Sequence, residues 1–218
     1  EKNICKINIE KTQGTGFFSK IPFPDKNNML PVFITNNHII NKDILQAKNY
    51  IFKLEIEKEK DNEPKEIELQ DRITYTNEEY DITIIEIKEK DNINDFLELD
   101  DIIINDILHN SNKNKDYIDE TIYIIQYPEK KLAVSYGIID NIYEDRKYNF
   151  NHKCCTKGGS SGSPILNINN KIVGIHKEGK NNRQFNVGTF LNYPIKEFIE
   201  LNCKKETLGA ETNYNNNS

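Results

Sequence analysis

Short apolar runs, separated by turn-forming and charged residues, recur along most of the 218-residue chain. In the run at 51–57, hydrophobic and charged side chains alternate, which is the pattern of a strand with one buried face. Many of the other runs are rich in β-branched and aromatic residues, and they lie at 16–18, 31–35, 67–69, 82–87, 121–127, 132–139, 164–168, 171–176 and 186–191. Many short strands at this spacing indicate a β-sandwich or a β-barrel.

Three other segments depart from this pattern. The segment 90–108 is acidic and is predicted to be a helical or irregular bridge. Apolar residues on one face of 194–202, with Pro194 near the start, predict a short C-terminal helix. Low hydrophobicity and a run of asparagines predict a disordered tail beyond it. Three parts are therefore expected, namely two β-rich halves and the tail, at 1–112, 113–202 and 203–218.

Composition narrows the possible functions. The net charge of −6 excludes the basic footprint of a nucleic-acid-binding domain. No stretch has the ~20 apolar residues of a membrane-spanning helix, so no membrane partner is expected. The four cysteines include no Cys-x-x-Cys pair, so we expect ordinary thiols in place of a metal site, and no cofactor.

A glycine- and serine-rich loop carries the first candidate for chemistry. Gly159 and Gly162 flank Ser161, and an apolar strand follows at once, so the serine hydroxyl can approach a substrate closely. The backbone N–H groups of Gly159 and Ser161 would then form an oxyanion hole beside that hydroxyl. Taken alone, the same residues are equally consistent with a flexible turn.

A serine nucleophile needs a general base, and His38 is the best placed of the four histidines. It ends an apolar run and precedes two isoleucines, where an imidazole with a pKa near neutrality is expected. The alternative role for His38 is a hydrogen-bonded core histidine. His109 and His152 lie in polar stretches and are expected at the surface.

The base in turn needs a carboxylate to orient it. Asp81 directly precedes the apolar run 82–85, and a carboxylate at the head of a buried strand is costly unless it is paired. A hydrogen bond from the Nδ1–H of His38 would offset that cost and fix the tautomer of the imidazole. The alternative is a solvated aspartate at the start of a strand.

Taken together, three motifs resemble the chymotrypsin/trypsin-like serine protease family. They are Thr-Asn-Asn-His at 35–38, Tyr-Asp-Ile-Thr-Ile-Ile at 80–85 and Gly-Ser-Ser-Gly-Ser-Pro at 159–164. Both their order and their spacing match that family. The stretch Gly-Thr-Gly-Phe-Phe at 14–18 also resembles the strand that precedes the histidine.

The resemblance implies an all-β fold of two antiparallel six-stranded Greek-key barrels with a short C-terminal helix. His38, Asp81 and Ser161 would meet in the cleft between the barrels as a catalytic triad. The implied function is a serine endopeptidase that cleaves a protein or peptide substrate through an acyl-enzyme. The alternative is a catalytically inactive trypsin-like module that binds peptides or partner proteins. The sequence indicates no particular oligomeric state.

The nucleophile motif and the strand Val-Gly-Ile-His at 173–176 are more closely similar to bacterial glutamyl endopeptidases. This resemblance implies that Thr156 and His176 bind the carboxylate of the P1 residue, with Gly188 and Thr189 as another wall. A hydroxyl and an imidazole suit a carboxylate or an amide oxygen, so Glu is expected at P1 and Gln is second. Picornavirus-type cysteine proteases use a similar Thr/His pair for Gln. If P1 is Glu, activity should fall as pH rises through the pKa of His176.

Other features differ from the digestive members of the family. Cys155 stands where trypsin has a carboxylate, which leaves a P1 Lys or Arg without a counter-charge at the pocket base. Ser160 stands where an aspartate is usual, which argues against activation through a new N-terminus. No cysteine follows His38, and the absence of the family disulfides favours an intracellular location.

Overall fold

Two β-rich units and the segments that connect and follow them make up the structure, which is a computed structural model. It describes residues 3–9, 12–47, 50–56, 64–179 and 184–215, with the backbone alone described for 205–215. Among these residues, no helix is both long enough and apolar enough to cross a membrane.

The N-terminal unit is a seven-stranded antiparallel sheet in the spatial order β5-β4-β1-β2-β3-β7-β6. A short helix, α1 (Lys42–Gln46), connects its third and fourth strands. The strands are β1 (Ile4–Ile9), β2 (Thr12–Pro22), β3 (Met29–Thr35), β4 (Ile51–Ile56), β5 (Lys65–Glu68), β6 (Thr74–Asn77) and β7 (Ile82–Glu86). The alternation predicted for β4 is present, since Phe52, Leu54 and Ile56 are buried on one face.

The C-terminal unit is a closed six-stranded antiparallel barrel in the order β10-β13-β12-β11-β8-β9. Its strands are β8 (Thr121–Gln126), β9 (Ala133–Ile142), β10 (Asn149–His152), β11 (Pro164–Asn167), β12 (Ile172–Gly179) and β13 (Asn186–Phe190). The helix α2 (Asp101–His109) precedes the barrel and α3 (Asn192–Asn215) follows it. Short 3-10 turns lie at Glu89–Asp91, Asn114–Tyr117 and Pro128–Lys130.

One apolar core runs through both units and under the C-terminal helix. Phe17 of the N-terminal sheet belongs to the same buried cluster as Ile165 and Phe190 of the barrel. Phe198 of α3 joins this cluster and packs edge-to-face on Phe23, with 5.3 Å between ring centroids. Burial of one such side chain contributes about 1.5–3 kcal/mol, so the shared core fixes the two units relative to each other.

The N-terminal unit differs from the six-stranded barrel that was expected. Its outer strands are β5 and β6, and it contains a strand, β1, that the apolar pattern did not indicate. In β1 the exposed Asn8 and half-buried Lys6 interrupt the buried residues, which conceals the strand in the sequence. β1 pairs with both β2 and β4, and so adds a seventh strand to the sheet.

Two further strands escape sequence reasoning because they are mostly polar. The sequences are Thr-Tyr-Thr-Asn in β6 and Asn-Phe-Asn-His in β10. All four residues of β10 are nonetheless buried. Among their polar groups, the side-chain amide of Asn151 donates to Asn141 Oδ1 at 2.6 Å, which offsets part of the cost of burial.

The bridge and the C-terminus differ from the prediction in part. The bridge at 90–108 overlaps α2, which ends at His109, in line with the helical alternative. The C-terminal helix begins at Asn192 and continues to Asn215, through a segment that was expected to be disordered. Lysine, glutamate, leucine and alanine in 204–211 have high helix propensity, which allows the helix to continue. Residues 216–218 lie outside the described residues.

Candidate active site

His38 and Asp81 form a hydrogen-bonded pair at the ends of two neighbouring strands of the N-terminal sheet. His38 follows β3, and Asp81 directly precedes β7, the strand that pairs with β3. The ring Nδ1 of His38 lies 2.8 Å from Asp81 Oδ2, and the backbone N–H of His38 donates to Oδ1 at 3.0 Å. Because a carboxylate can only accept, Nδ1 carries the proton and Nε2 is the basic nitrogen of the neutral ring.

The backbone around Asp81 explains the direction of its carboxylate. Asp81 has φ of +53°, in the left-handed region that aspartate adopts more readily than most residues. The side-chain amide of Asn36 donates to the backbone oxygen of Asp81 at 2.8 Å and so holds this turn in place. The same turn places the carboxylate against His38, and the side chain of Asp81 is only 10% exposed.

A tight turn between β10 and β11 presents Ser161. Gly162 has φ of +84°, and a Cβ there would lie 2.0 Å from the backbone oxygen of Thr15, so only glycine fits. Ser160 closes the turn, since its N–H donates to the backbone oxygen of Lys157 and its hydroxyl accepts the N–H of Lys157, both at 3.1 Å. The N–H and the hydroxyl of Ser160, the residue before the candidate nucleophile, therefore both have hydrogen-bond partners within this turn.

The hydroxyl of Ser161 donates to the backbone oxygen of Lys177 at 3.5 Å, and not to His38. Ser161, His38 and Asp81 nevertheless line one cleft of about 1140 Å³ between the two units. The structure therefore brings the three residues to one site, with the serine side chain turned toward Lys177.

The predicted oxyanion donors are held by a neighbouring turn. Among the described residues, no backbone hydrogen bond uses the N–H of Gly159 or Ser161. The backbone oxygen of Gly158 accepts the N–H of Glu129 at 2.9 Å. Because the C=O and N–H of one peptide point in opposite directions, this bond turns the Gly159 N–H away from Glu129. Among the described residues, both N–H groups are thus without a backbone acceptor, and Ser161 lines the cleft.

Thr156 and His176 line the same cleft as Ser161, and the part of the cleft that they line is here called the pocket. Gly179 leaves space there, because a Cβ at this position would lie 3.2 Å from Asn186 Oδ1 and 3.9 Å from Thr156 Oγ1. Cys155 also lines the cleft and is exposed. The pocket therefore offers a hydroxyl, an imidazole and a side-chain amide to an entering group.

Gly188 and Thr189 do not line this pocket in the structure. A Cβ at Gly188 would lie 2.5 Å from the ring of Phe150, so this position faces the barrel core. The hydroxyl of Thr189 donates to the backbone oxygen of Tyr80 at 3.0 Å. The register of β12 with β13 shifts in this region, and the wall is formed at the start of β13 by Gln184, Phe185 and Asn186.

His152, which was expected at the surface, is fully buried behind His176. Nε2 of His152 lies 3.1 Å from Nδ1 of His176. Burial lowers the pKa of His152 to about 3. Burial, with smaller contributions from His152 and His38, lowers the pKa of His176 well below its usual value. Both rings are therefore neutral near pH 7, and each carries one N–H. When His152 Nε2 carries its proton and donates to His176 Nδ1, the proton of His176 is on Nε2, the nitrogen on the pocket side.

Lysines around the cleft were not singled out from the sequence. The ammonium of Lys177 donates to the backbone oxygen of Glu79 at 3.0 Å, and burial lowers the pKa of this lysine. Lys157 forms an ion pair with Glu129 at 3.3 Å. Most lysines are solvated, so a lysine in a sequence does not by itself indicate a functional site. Only the tertiary structure places Lys157 and Lys177 at the cleft.

The described residues contain no group of three or more His, Cys, Asp or Glu side chains that could hold a metal ion. No disulfide joins any of the four cysteines. Burial, with a smaller contribution from Cys155, raises the pKa of Cys154 to about 12, so this thiol stays protonated.

Comparison with known proteins agrees with this geometry. Residues 14–175 match the model of the trypsin-like peptidase domain, and the chain belongs to this family. A glutamyl endopeptidase of Staphylococcus aureus strain MRSA252 is 29% identical over 107 residues, which are 49% of this chain and 30% of that protein. The glutamyl endopeptidase of strain MW2 is 28% identical over 107 residues, 49% of this chain and 32% of its own. The chain thus spans less than a third of the length of either relative.

Solved structures share the fold at low sequence identity. A serine endoprotease from Yersinia pestis has a TM-score of 0.61 at 14% identity, over 91% of this chain and 63% of that one. A serine protease of a human pathogenic astrovirus has a TM-score of 0.55 at 18% identity, over 87% of this chain and 90% of its own. These likenesses confirm the predicted fold class of two β-barrel-like units.

Proposed function

We propose that this chain is a serine endopeptidase in which Ser161 is the nucleophile, His38 the general base and Asp81 the residue that orients the base. The observation that carries the proposal is the 2.8 Å hydrogen bond between His38 Nδ1 and Asp81 Oδ2, at a cleft that Ser161 also lines. An imidazole held in this way directs its basic Nε2 at a fixed point, which an isolated surface histidine cannot do.

The reaction begins when the hydroxyl of Ser161 turns from the Lys177 backbone oxygen toward His38. Rotation about the Cα–Cβ bond redirects the hydroxyl, and catalytic hydrogen bonds commonly tighten only when substrate is bound. Ser161 Oγ then bonds to the scissile carbonyl carbon while its proton passes to His38 Nε2, and Asp81 stabilises the imidazolium.

The acyl-enzyme forms when the scissile C–N bond breaks and His38 returns the proton to the leaving amine. Water then gives its proton to His38 and attacks the ester carbonyl. The bond between Ser161 Oγ and the acyl carbon breaks, and His38 returns that proton to Ser161 Oγ, which releases the acid product. In both steps negative charge collects on the carbonyl oxygen. We assign its stabilisation to the N–H groups of Gly159 and Ser161, and loss of one such donor typically costs about 10²–10³ in kcat.

We assign the pocket lined by Thr156 and His176 to a glutamate at P1. A carboxylate that enters this pocket loses water and must find donors, which the Thr156 hydroxyl and the His176 Nε2–H supply. The similarity to proteins named glutamyl endopeptidase supports glutamate. Glutamine is the second candidate, because burial keeps His176 neutral and a neutral donor also suits an amide oxygen.

Peptides that differ only at P1, with Glu, Gln, Lys or Phe, test both parts of the proposal. We expect the highest kcat/KM for Glu. Ser161→Ala should retain only the rate that binding and oxyanion stabilisation supply, roughly 10³–10⁴ over water. A preference for Lys or Phe would contradict the pocket assignment alone. Near-normal turnover by Ser161→Ala would remove Ser161 from its role.

The contact between the Ser161 hydroxyl and the Lys177 backbone oxygen favours one other candidate function, a module that binds peptides without cleaving them. Fluorophosphonate labelling separates the two functions. Covalent labelling of the wild-type chain and none of Ser161→Ala supports the peptidase. Peptide binding with neither labelling nor cleavage supports the binding module.

A further inference from the structure

Thr15 contacts the backbone of the segment that presents Ser161 at two points. Its hydroxyl donates to the backbone oxygen of Gly159 at 2.9 Å, and its N–H donates to the backbone oxygen of Ser161 at 2.8 Å. Both acceptors lie in residues 157–162, the nucleophile loop. Thr15 is fully buried and lies in β2 of the N-terminal sheet, whereas the loop belongs to the C-terminal barrel. One residue therefore ties the loop to the opposite unit.

The same threonine also contacts the turn that orients the oxyanion peptide. Its hydroxyl accepts the N–H of Tyr127 at 3.2 Å. Tyr127 directly precedes the turn in which the Glu129 N–H holds the backbone oxygen of Gly158 at 2.9 Å. The Thr15 hydroxyl thus joins the nucleophile loop to the turn that directs its N–H groups. On its other side, the backbone oxygen of Thr15 accepts the Thr35 hydroxyl at 2.9 Å.

The packing around these contacts leaves little room for the loop to adjust. A Cβ at Gly159 would lie 2.5 Å from the backbone oxygen of Tyr127, and one at Gly162 would lie 2.0 Å from that of Thr15. The backbones therefore approach as closely as glycine permits. Loss of the Thr15 hydroxyl would remove the partner that the C=O of Gly159 and the N–H of Tyr127 share. We expect the nucleophile loop to shift so that these two groups form other hydrogen bonds.

We propose that Thr15 is a positioning residue for the oxyanion hole. Its hydroxyl holds the nucleophile loop in the orientation in which the N–H groups of Gly159 and Ser161 face the substrate carbonyl. This inference rests on the proposed peptidase function and adds a residue that does not line the cleft. A misplacement of about 1 Å in such a site can lower the rate about 10²-fold.

The test compares Thr15→Val, which keeps the shape and removes the hydroxyl, with Thr15→Ser, which keeps the hydroxyl. Ser19→Ala is the matched control, because Ser19 is also buried in β2 and its hydroxyl donates to the backbone oxygen of Leu97 at 2.8 Å, away from the cleft. We expect Thr15→Val to lower kcat about 10²-fold with KM unchanged. Thr15→Ser and Ser19→Ala should stay close to the wild type.

Two further readouts separate positioning from a general loss of stability. The shape of the pH profile of kcat/KM should be unchanged in Thr15→Val, because the contacts between His38 and Asp81 are untouched. A peptide aldehyde, whose hemiacetal oxygen occupies the oxyanion position, should bind Thr15→Val more weakly by about the same factor as the loss in kcat. Each rate is divided by the folded fraction of the variant, measured by circular dichroism. If Thr15→Val does not fold, Thr15→Ala replaces it and is judged by the same criteria.

The outcomes distinguish this inference from the proposed function. A wild-type kcat in Thr15→Val overturns the inference and leaves the peptidase proposal intact. Equal losses in Thr15→Val and Ser19→Ala also overturn it, because they would reflect the fold in general. If the wild-type chain hydrolyses none of the peptides, the proposed function fails before Thr15 is considered.

Discussion

The buried histidine pair predicts how selectivity between Glu and Gln at P1 changes with pH. In the unliganded protein, burial holds the pKa of His176 well below its usual value, so the ring is neutral near pH 7. A glutamate carboxylate placed against the ring raises that pKa, because an opposite charge favours the imidazolium. Between the free and the bound pKa values, binding of glutamate therefore takes up a proton, whereas binding of glutamine does not.

The magnitude follows from linkage between proton uptake and binding. The pKa of His176 is higher in the glutamate complex than in the free protein. The affinity for glutamate that protonation of His176 adds is therefore fully present below the pKa of the free protein. This added affinity is lost as pH rises through the pKa of the complex. Uptake of one proton changes affinity by at most about tenfold, or 1.4 kcal/mol, per pH unit. The ratio of kcat/KM for Glu to that for Gln should fall with rising pH at up to this slope.

The assay measures kcat/KM for two peptides that differ only at P1, at constant ionic strength. Both substrates use the same triad, so its contribution to the pH profile cancels in the ratio. His176→Gln provides the control, because it removes the titrating ring and should make the ratio independent of pH. A wild-type ratio that is constant, or that rises with pH, would refute proton uptake and leave neutral donors as the basis of recognition.

Three further predictions concern the site and its support. Asp81→Asn should lower kcat about 10⁴-fold with little change in KM, as measured by steady-state kinetics, because an amide at this position favours the wrong tautomer of His38. Gly162→Ala should lower Tm more than Gly158→Ala. A Cβ at Gly162 would lie 2.0 Å from a backbone oxygen, whereas a Cβ at Gly158 would have no atom within 4 Å. Equal shifts in Tm would contradict the packing argument. Phe198→Ala should lower the free energy of unfolding in urea by about 3–5 kcal/mol, and a loss below 1 kcal/mol would mean that α3 is not part of the core.

The hydrogen bond between His38 and Asp81 could be anticipated from the sequence because both residues lie at the ends of apolar runs. A polar side chain at such a position needs a partner, and two neighbouring strands supply one to each other. Ser161 was recognisable for a similar reason, since glycines on both sides mark a backbone under tight steric constraint. These arguments depend on local pattern, which the sequence displays directly.

The pocket was harder to predict because its walls depend on tertiary register. His152 lies among asparagines in the sequence, yet those asparagines pair inside the barrel and carry the histidine inward. Gly188 and Thr189 were assigned to the wall by similarity, but a register shift between β12 and β13 moves the wall toward Asn186. Thr15 lies in the stretch 14–18 that marks a strand in the sequence, but its role depends on a hydroxyl that reaches the loop across the boundary between the units.

The apolar core shared by the two units has a consequence for dissection of the chain. Phe17 on one side and Phe190 on the other are fully buried in one cluster, so either half expressed alone would expose the surface that the other half covers. Each fragment would then tend to aggregate or remain partly unfolded. Two fragments divided within the bridge between the units should instead regain structure on mixing, and restored peptide cleavage would report their reassembly, because His38 and Ser161 come from different fragments.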